Sequence, residues 1–115
     1  MTTKIYHNPR CSKSRQTLAL LNENEMDVEI VEYLKTPPSR KELTGIIKML
    51  GIKPRDLLRK GEKEYKEAGL NNMELSDKEI IDAMLEHPKL IERPIVIKDG
   101  QARIGRPPEL ILEIV

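Results

Sequence analysis

A single cysteine occurs in the chain, within the run YHNPRCSKSRQT at residues 6–17. Arg10, Lys13 and Arg15 crowd around Cys11, and His7 precedes it by four residues. A lone cysteine is more often a small buried hydrophobe than a reagent. Here the flanking Pro9, Arg10, Ser12, Lys13 and Ser14 offer it no apolar companions, whereas a reactive thiolate needs a polar, cationic setting. Such settings lower a thiol pKa from about 8.5 to roughly 3.5–7.5, which leaves the sulfur largely ionised at neutral pH. The chemistry indicated is nucleophilic attack by sulfur. Positive charge at a helix start opposes the helix dipole, so cations at Arg10, Lys13 and Arg15 need an anion to justify them. For His7 two readings stand: support of the thiolate or of Asn8 and the loop, or a strand-end histidine bonded to the backbone. His87, ahead of Pro88, reads as a cap or surface residue, and two histidines with one cysteine so far apart make no metal site.

The elements that must position this loop can be read from the pattern around it. KIYH (Lys4–His7) is a short strand, broken by Asn-Pro-Arg before a helix from about Ser12 to Asn24, so Cys11 falls at a strand-to-helix junction. VEIVEYL (Val28–Leu34) alternates apolar and acidic residues and reads as a second strand. Strand, helix and strand in so short a span predict a parallel βαβ unit. After TPPS the pattern turns helical. Ser39 and Glu42 form a capping box, Leu43, Ile46, Ile47 and Leu50 follow at helical spacing, and Gly51 stops the helix. Pro54 opens another short helix, EKEYKEAG adds a turn or two up to Gly69, and Ser76 with Glu79 caps a further helix through Ile80, Ile81, Met84 and Leu85. PIVIKDGQARIGR is two extended runs joined by Asp99-Gly100, a two-residue hairpin signal. Pro107 and Pro108 lead into a terminal helix with Leu110, Ile111 and Ile114 expected to face inward.

That order, β-α-β, helices, then β-β-α, predicts a thioredoxin-like α/β domain, with a four-stranded mixed sheet and a helical insertion at about residues 36–90. At 115 residues the chain fits one compact domain spanning residues 1–115. The loop after the first strand then lies at the carboxyl edge of the sheet, where ligands tend to bind. The helix beginning beside it offers unpaired N–H groups to a thiolate or bound oxyanion. Charged residues make up 34% of the chain, the net charge is +1, and the only aromatics are three tyrosines. No global field favours nucleic acid or membrane, so any attraction for an anion must be local. MTTKIYHNPR lacks the apolar run of a signal peptide, and about 18 consecutive apolar residues occur nowhere. With its one free thiol the protein is expected in the reducing cytoplasm, as a monomer.

Several separated motifs resemble the glutaredoxin-dependent arsenate reductase (ArsC) family, and in particular a shorter, YfgD-like branch of it. They are YHNPRCSKSRQTL at the N-terminus, YLKTPPSRKEL at Tyr33–Leu43, LLRK at Leu57–Lys60, HPKLIERPIVI at His87–Ile97 and RIGRPPE at Arg103–Glu109. The resemblance implies a thioredoxin-like fold and an oxidoreductase in which Cys11 attacks arsenate while Arg59, Arg93 and Arg106 bind the oxyanion. It implies a role for His7 beside the nucleophile and support from Asn8, Ser14 and Arg15. Pro94 resembles the proline that thioredoxin-like folds hold in cis facing the thiol. Guanidinium groups, with several fixed donors, suit a tetrahedral oxyanion better than a lysine does.

One thiol cannot supply both electrons for arsenate reduction from within the chain, so the other sulfur must come from outside. The family chemistry implies glutathione as co-substrate and glutaredoxin to resolve the mixed disulfide on Cys11, with no metal and no tightly bound cofactor. Better-known members carry Gly and Thr where this chain has Ser12 and Lys13. The added charge at Lys13 leaves open a related thiol oxidoreductase acting on another substrate, such as a glutathionylated protein. An Spx-like redox regulator, which senses oxidation through C-x-x-C, is disfavoured because the second position is Ser14. A low-molecular-weight phosphatase loop, C-x5-R, is disfavoured because the sixth residue after Cys11 is Thr17.

Overall fold

The computed structural model describes residues 3–115. The chain divides into two compact units, one running through Thr36 and resuming at Arg93–Val115, the other Pro37–Glu92. In the first unit β1 (Thr3–His7), α1 (Ser12–Glu23) and β2 (Val28–Glu32) are followed by β3 (Ile95–Lys98), β4 (Gln101–Ile104) and a closing 3-10 helix, Pro108–Glu113. The strand order is β2-β1-β3-β4. β1 pairs in parallel with β2 and antiparallel with β3, and β3 pairs antiparallel with β4. This is the mixed four-stranded sheet of a thioredoxin-like α/β fold. A parallel pair requires a crossover, which α1 supplies. Asp99 and Gly100 both take positive φ, 53° and 79°, which is the turn geometry that matches strand twist in a two-residue hairpin.

Ile5 of β1, Leu21 of α1 and Val96 of β3 are fully buried together with Ile111, and Ile114 closes the cluster. The closing segment differs from the expected α-helix in period. Leu110 N–H bonds Pro107 O and Ile114 N–H bonds Ile111 O, a three-residue spacing that stacks Pro108, Ile111 and Ile114 on one face. Leu110, expected inward, is thereby turned to solvent. β2 also departs from the sequence reading. It ends at Glu32 rather than Leu34, because the N–H groups of Lys35 and Thr36 both return to Glu32 O and close a turn. As an edge strand it leaves Ile30 50% exposed, so its alternation does not sort cleanly into core and solvent faces.

The second unit contains α2 (Arg40–Leu50), a 3-10 turn at Pro54–Leu57, α3 (Lys63–Glu67), α4 (Asp77–Glu86) and a second 3-10 turn at Pro88–Leu90. Both expected capping boxes form: Ser39 and Ser76 accept the N–H of Glu42 and Glu79, and each glutamate accepts the serine N–H in return. Gly51 ends α2 in the left-handed conformation at φ 69°, where a Cβ would be disfavoured. His87 is the C-cap of α4. A single antiparallel bridge joins Leu58 to Ile91, flanked by the bonds Arg59 N–H to Leu90 O and Glu92 N–H to Leu57 O. Among the described residues no helix is long and apolar enough to cross a membrane. Since Ile111 is wholly buried at the centre of the sheet unit's core, Ile111→Ala is expected to cost about 2–5 kcal/mol. The urea midpoint should fall accordingly, and an unchanged midpoint would show that the closing segment does not seal the core.

Candidate active site

Register brings three distant segments to one edge of the sheet. Tyr6 near the end of β1 lies opposite Ile95 at the start of β3, and Ile95 lies opposite Ile104 at the end of β4. The chain immediately beyond these positions is Asn8–Cys11, Arg93-Pro94 and Gly105-Arg106. Gly105 N–H bonds Pro94 O at 2.9 Å, which carries the β3–β4 pairing one step past the strands. Both the Arg93–Pro94 and Arg106–Pro107 peptide bonds are cis, which answers for Pro94 what the sequence left open. Position 105 requires glycine: a methyl there would press on Thr17 Oγ1 of α1 and lie 2.9 Å from Pro94 Cγ and 3.1 Å from Thr17 Cγ2.

Cys11 is the N-cap residue of α1. Helices place Ser, Thr, Asp or Asn at that position so that a side-chain oxygen meets the second and third N–H groups. Here a sulfur stands in that place, and the corresponding groups are the N–H of Lys13 and of Ser14. Burial, which leaves Cys11 only 9% exposed, pushes the thiol pKa up. It is outweighed by the Ser14 N–H, by the Arg93 guanidinium through hydrogen bond and charge, and by the Lys13 N–H, so that the thiol ionises below its ordinary range. Arg106 adds a second guanidinium, its Nη2 donating to Sγ at 3.5 Å while its Nε donates to Arg93 O at 2.8 Å. Arg93's own charge is opposed by burial but held by the Cys11 sulfur and the Tyr33 hydroxyl, with a raised pKa as the net result.

The loop that carries Cys11 is fastened from within. Cys11 N–H bonds Asn8 O at 3.0 Å, and Arg10 N–H bonds Asn8 Oδ1 at 3.0 Å. Buried Ser14 Oγ accepts the Asn8 N–H at 3.0 Å and lies 2.7 Å from His7 Nδ1, one of the two donating according to the imidazole tautomer. Burial lowers the His7 pKa; Glu32 works against this and Arg15 adds to it. The neutral imidazole is therefore the form favoured, and through Ser14 it positions the loop. Arg15 Nη1 donates to Pro9 O at 2.9 Å, tying the start of α1 to the same loop.

The structure thus gathers Cys11, Arg93, Arg106, His7, Asn8, Ser14, Arg15 and Pro94 in one unit. Arg59 belongs to the other, where it forms ion pairs with Glu92 at 2.6 Å and Glu62 at 3.3 Å. The local cations differ in role from the sequence reading. Arg10, Lys13 and Arg15 are exposed, and what Lys13 contributes to the thiolate is its backbone N–H. The guanidinium groups at the sulfur come from more than 80 positions along the chain. Cys11 is also more buried than its polar neighbours imply, because burial here is among donors rather than hydrocarbon. The N–H groups of the helix start serve the sulfur as the sequence led one to expect, whereas Tyr33 was missed, since a tyrosine after an edge strand carries no local signal. Among the described residues no group of three or more His, Cys, Asp or Glu could hold a metal ion.

Residues 6–114 match the model of the ArsC family. The uncharacterized protein YfgD of Escherichia coli K12 is 55% identical over 97% of this chain and 95% of its own length. An arsenate reductase of Haemophilus influenzae is 49% identical over the full length of both chains. Among solved structures, the arsenate reductase from Vibrio cholerae superposes with a TM-score of 0.97 at 52% identity, covering 100% of this chain and 98% of that one.

Arg93 is the side chain that most favours the thiolate, so Arg93→Ala is expected to raise the Cys11 pKa, read from thiolate ultraviolet absorbance against pH. Alkylation of the wild-type thiol should persist as pH falls below the ordinary thiol value and disappear only on passing the lower folded value. The linkage has the same sign: a depressed acid contributes stability above its unfolded pKa and loses it as pH falls through the folded one. Coincident titrations of wild type and Arg93→Ala would remove the guanidinium from this account.

Proposed function

The chain belongs to the ArsC family, and from that premise we propose that it is an arsenate reductase using glutathione and glutaredoxin. The observation that carries the reading is the Cys11 sulfur flanked by the guanidinium groups of Arg93 and Arg106, in a chain about half identical to proteins named arsenate reductase. Arsenate, a tetrahedral oxyanion, would be drawn by the same donors that favour the thiolate. The sulfur attacks arsenic, water leaves, and an S–As(V) adduct forms on Cys11. Glutathione thiolate then attacks the Cys11 sulfur. As that S–S bond forms, the S–As electron pair leaves with arsenic, which departs as arsenite. Arsenic gains two electrons and the two sulfurs lose them. Glutaredoxin reduces the Cys11–glutathione disulfide and frees the thiolate. The reducing cytoplasm is the compartment that such a thiol cycle requires.

Arg93 and Arg106 are the proposed oxyanion ligands at the sulfur, steadying the charge that grows on oxygen during attack. Arg59, which the family resemblance assigns to the same oxyanion, pairs within its own unit with the carboxylates of Glu62 and Glu92. His7 and Ser14 act as positioning residues, keeping the loop set for attack. The test is arsenate-dependent NADPH consumption in the presence of glutathione, glutaredoxin and glutathione reductase. Cys11→Ser should abolish turnover. Arg106→Ala should lower kcat by about 10²–10³, the usual loss when one oxyanion donor is removed, and Arg93→Lys should also lower it, because two-pronged recognition is lost. Turnover that survives in Cys11→Ser would falsify the mechanism.

A further inference from the structure

Beside the nucleophile's loop lies a cavity of about 240 Å³ that the catalytic chemistry above leaves unused. It is lined by His7 at the end of β1, by Asn8, Pro9 and Arg10 of the loop that follows, and by Glu32, Leu34 and Lys35 at and just beyond the end of β2. The register places Glu32 beside His7 across the parallel β1–β2 pair, and the Glu32 charge acts on that imidazole. Glu32 Oε1 and Lys35 Nζ stand 3.5 Å apart in a largely exposed ion pair. Leu34 is one of the few large apolar side chains left exposed. The cavity therefore presents an anion, two cations and a short apolar surface within one small volume.

Those features complement an α-amino acid group on an aliphatic stem. The carboxylate of Glu32 meets an ammonium, Lys35 and Arg10 meet a carboxylate, and Leu34 with Pro9 covers the methylenes. Inorganic oxyanions would find Glu32 repulsive, which argues against a second arsenate site. A drug-sized ligand occupies upwards of about 300 Å³, so the cavity suits one end of a small peptide rather than the whole of it. Arg10 is adjacent in sequence to Cys11, about 3.8 Å between Cα atoms, and Asn8, which lines the cavity, accepts the Cys11 N–H. A tripeptide spans up to about 10 Å when extended, enough to carry a thiol from the cavity towards that sulfur.

We propose that this cavity is the subsite for the α-ammonium and α-carboxylate end of the external thiol, the γ-glutamyl end in glutathione. The proposal rests on the reading that an external peptide thiol attacks Cys11, and it adds the means by which that thiol is chosen over simpler ones. Glu32 and Lys35 are specificity residues for the thiol, and the zwitterion replaces the ion pair they now make with each other. Because both are exposed, each contact is worth little, and removing one should weaken binding by roughly two- to fivefold.

The first readout is the ratio of kcat/KM for glutathione to that for mercaptoethanol, which carries no amino acid group, in wild type, Glu32→Gln and Lys35→Ala. Using a ratio cancels any effect of Glu32 on His7 that both thiols share. The ratio should fall by roughly two- to fivefold in each variant; an unchanged ratio overturns the subsite even if arsenate is turned over. The second readout needs no turnover: titration of the protein with S-methylglutathione, which cannot react, followed by amide chemical shifts. Shifts confined to Asn8–Arg10 and Glu32–Lys35, weaker in both variants, support the subsite even if arsenate proves the wrong substrate. Shifts elsewhere, or none, overturn it.

Discussion

An ionised sulfur with almost no exposure to water is stable only if other donors replace the water it has lost, and this requirement organises the sheet unit. Burial alone would drive Cys11 towards the neutral thiol. The compensation comes from the start of α1, where Cys11 takes the N-cap position and the sulfur faces the free N–H groups of the first turn. Guanidinium charge supplies the rest. The coupling is reciprocal, since the sulfur in turn favours the charge on Arg93. Donors arranged this way are worth more than they would be in water because the site excludes competing solvent.

Meeting that requirement depends on strand register over nearly the whole chain. Cys11 follows β1, Arg93 precedes β3, and Arg106 follows β4, so they converge only because Tyr6, Ile95 and Ile104 lie side by side. A slip of one residue would turn every side chain of a strand to the other face. The β3–β4 register is set by the tight Asp99-Gly100 turn. Gly105 serves the same end at the other extreme of the hairpin, since its lack of a side chain lets Pro94 and Thr17 close upon it. Arg106 is held on both sides of this junction, by its Nε bond to Arg93 O and by its approach to the sulfur. Arg106 is therefore positioned by the backbone of Arg93 as well as by the sheet.

What could be read from the sequence was whatever depended on neighbours along the chain. Ser39 with Glu42 and Ser76 with Glu79 fixed helix starts because a capping box is complete within four residues. The hairpin at Asp99-Gly100 was equally local. The character of the thiol was legible from its polar flanks, but not the source of its charge partners: Arg10, Lys13 and Arg15 are adjacent in sequence and exposed in space. Arg93 and Arg106 were reachable only through the resemblance of ERP and GRPPE to a known family. Leu110 was misplaced, and the exposure of Ile30 left unread, for related reasons. The direction of Leu110 turns on whether the last segment repeats every three residues or every 3.6, and that of Ile30 on β2 lying at an edge, neither of which five or six residues reveal.

The position of Ser14 links this architecture to the outside thiol that the proposed mechanism requires. It lies three residues after Cys11, where a C-x-x-C protein would keep its resolving sulfur. Here that side chain is fully buried and already committed, accepting the Asn8 N–H and meeting His7 Nδ1 at 2.7 Å. A thiol in its place would be a weaker donor and acceptor, and the loop that aims Cys11 would lose the bond joining His7 to Asn8. The residue that would resolve a disulfide internally is thus spent on holding the Cys11 loop still. Rigidity at Cys11 and the proposed dependence on an external sulfur are two consequences of the same hydroxyl group.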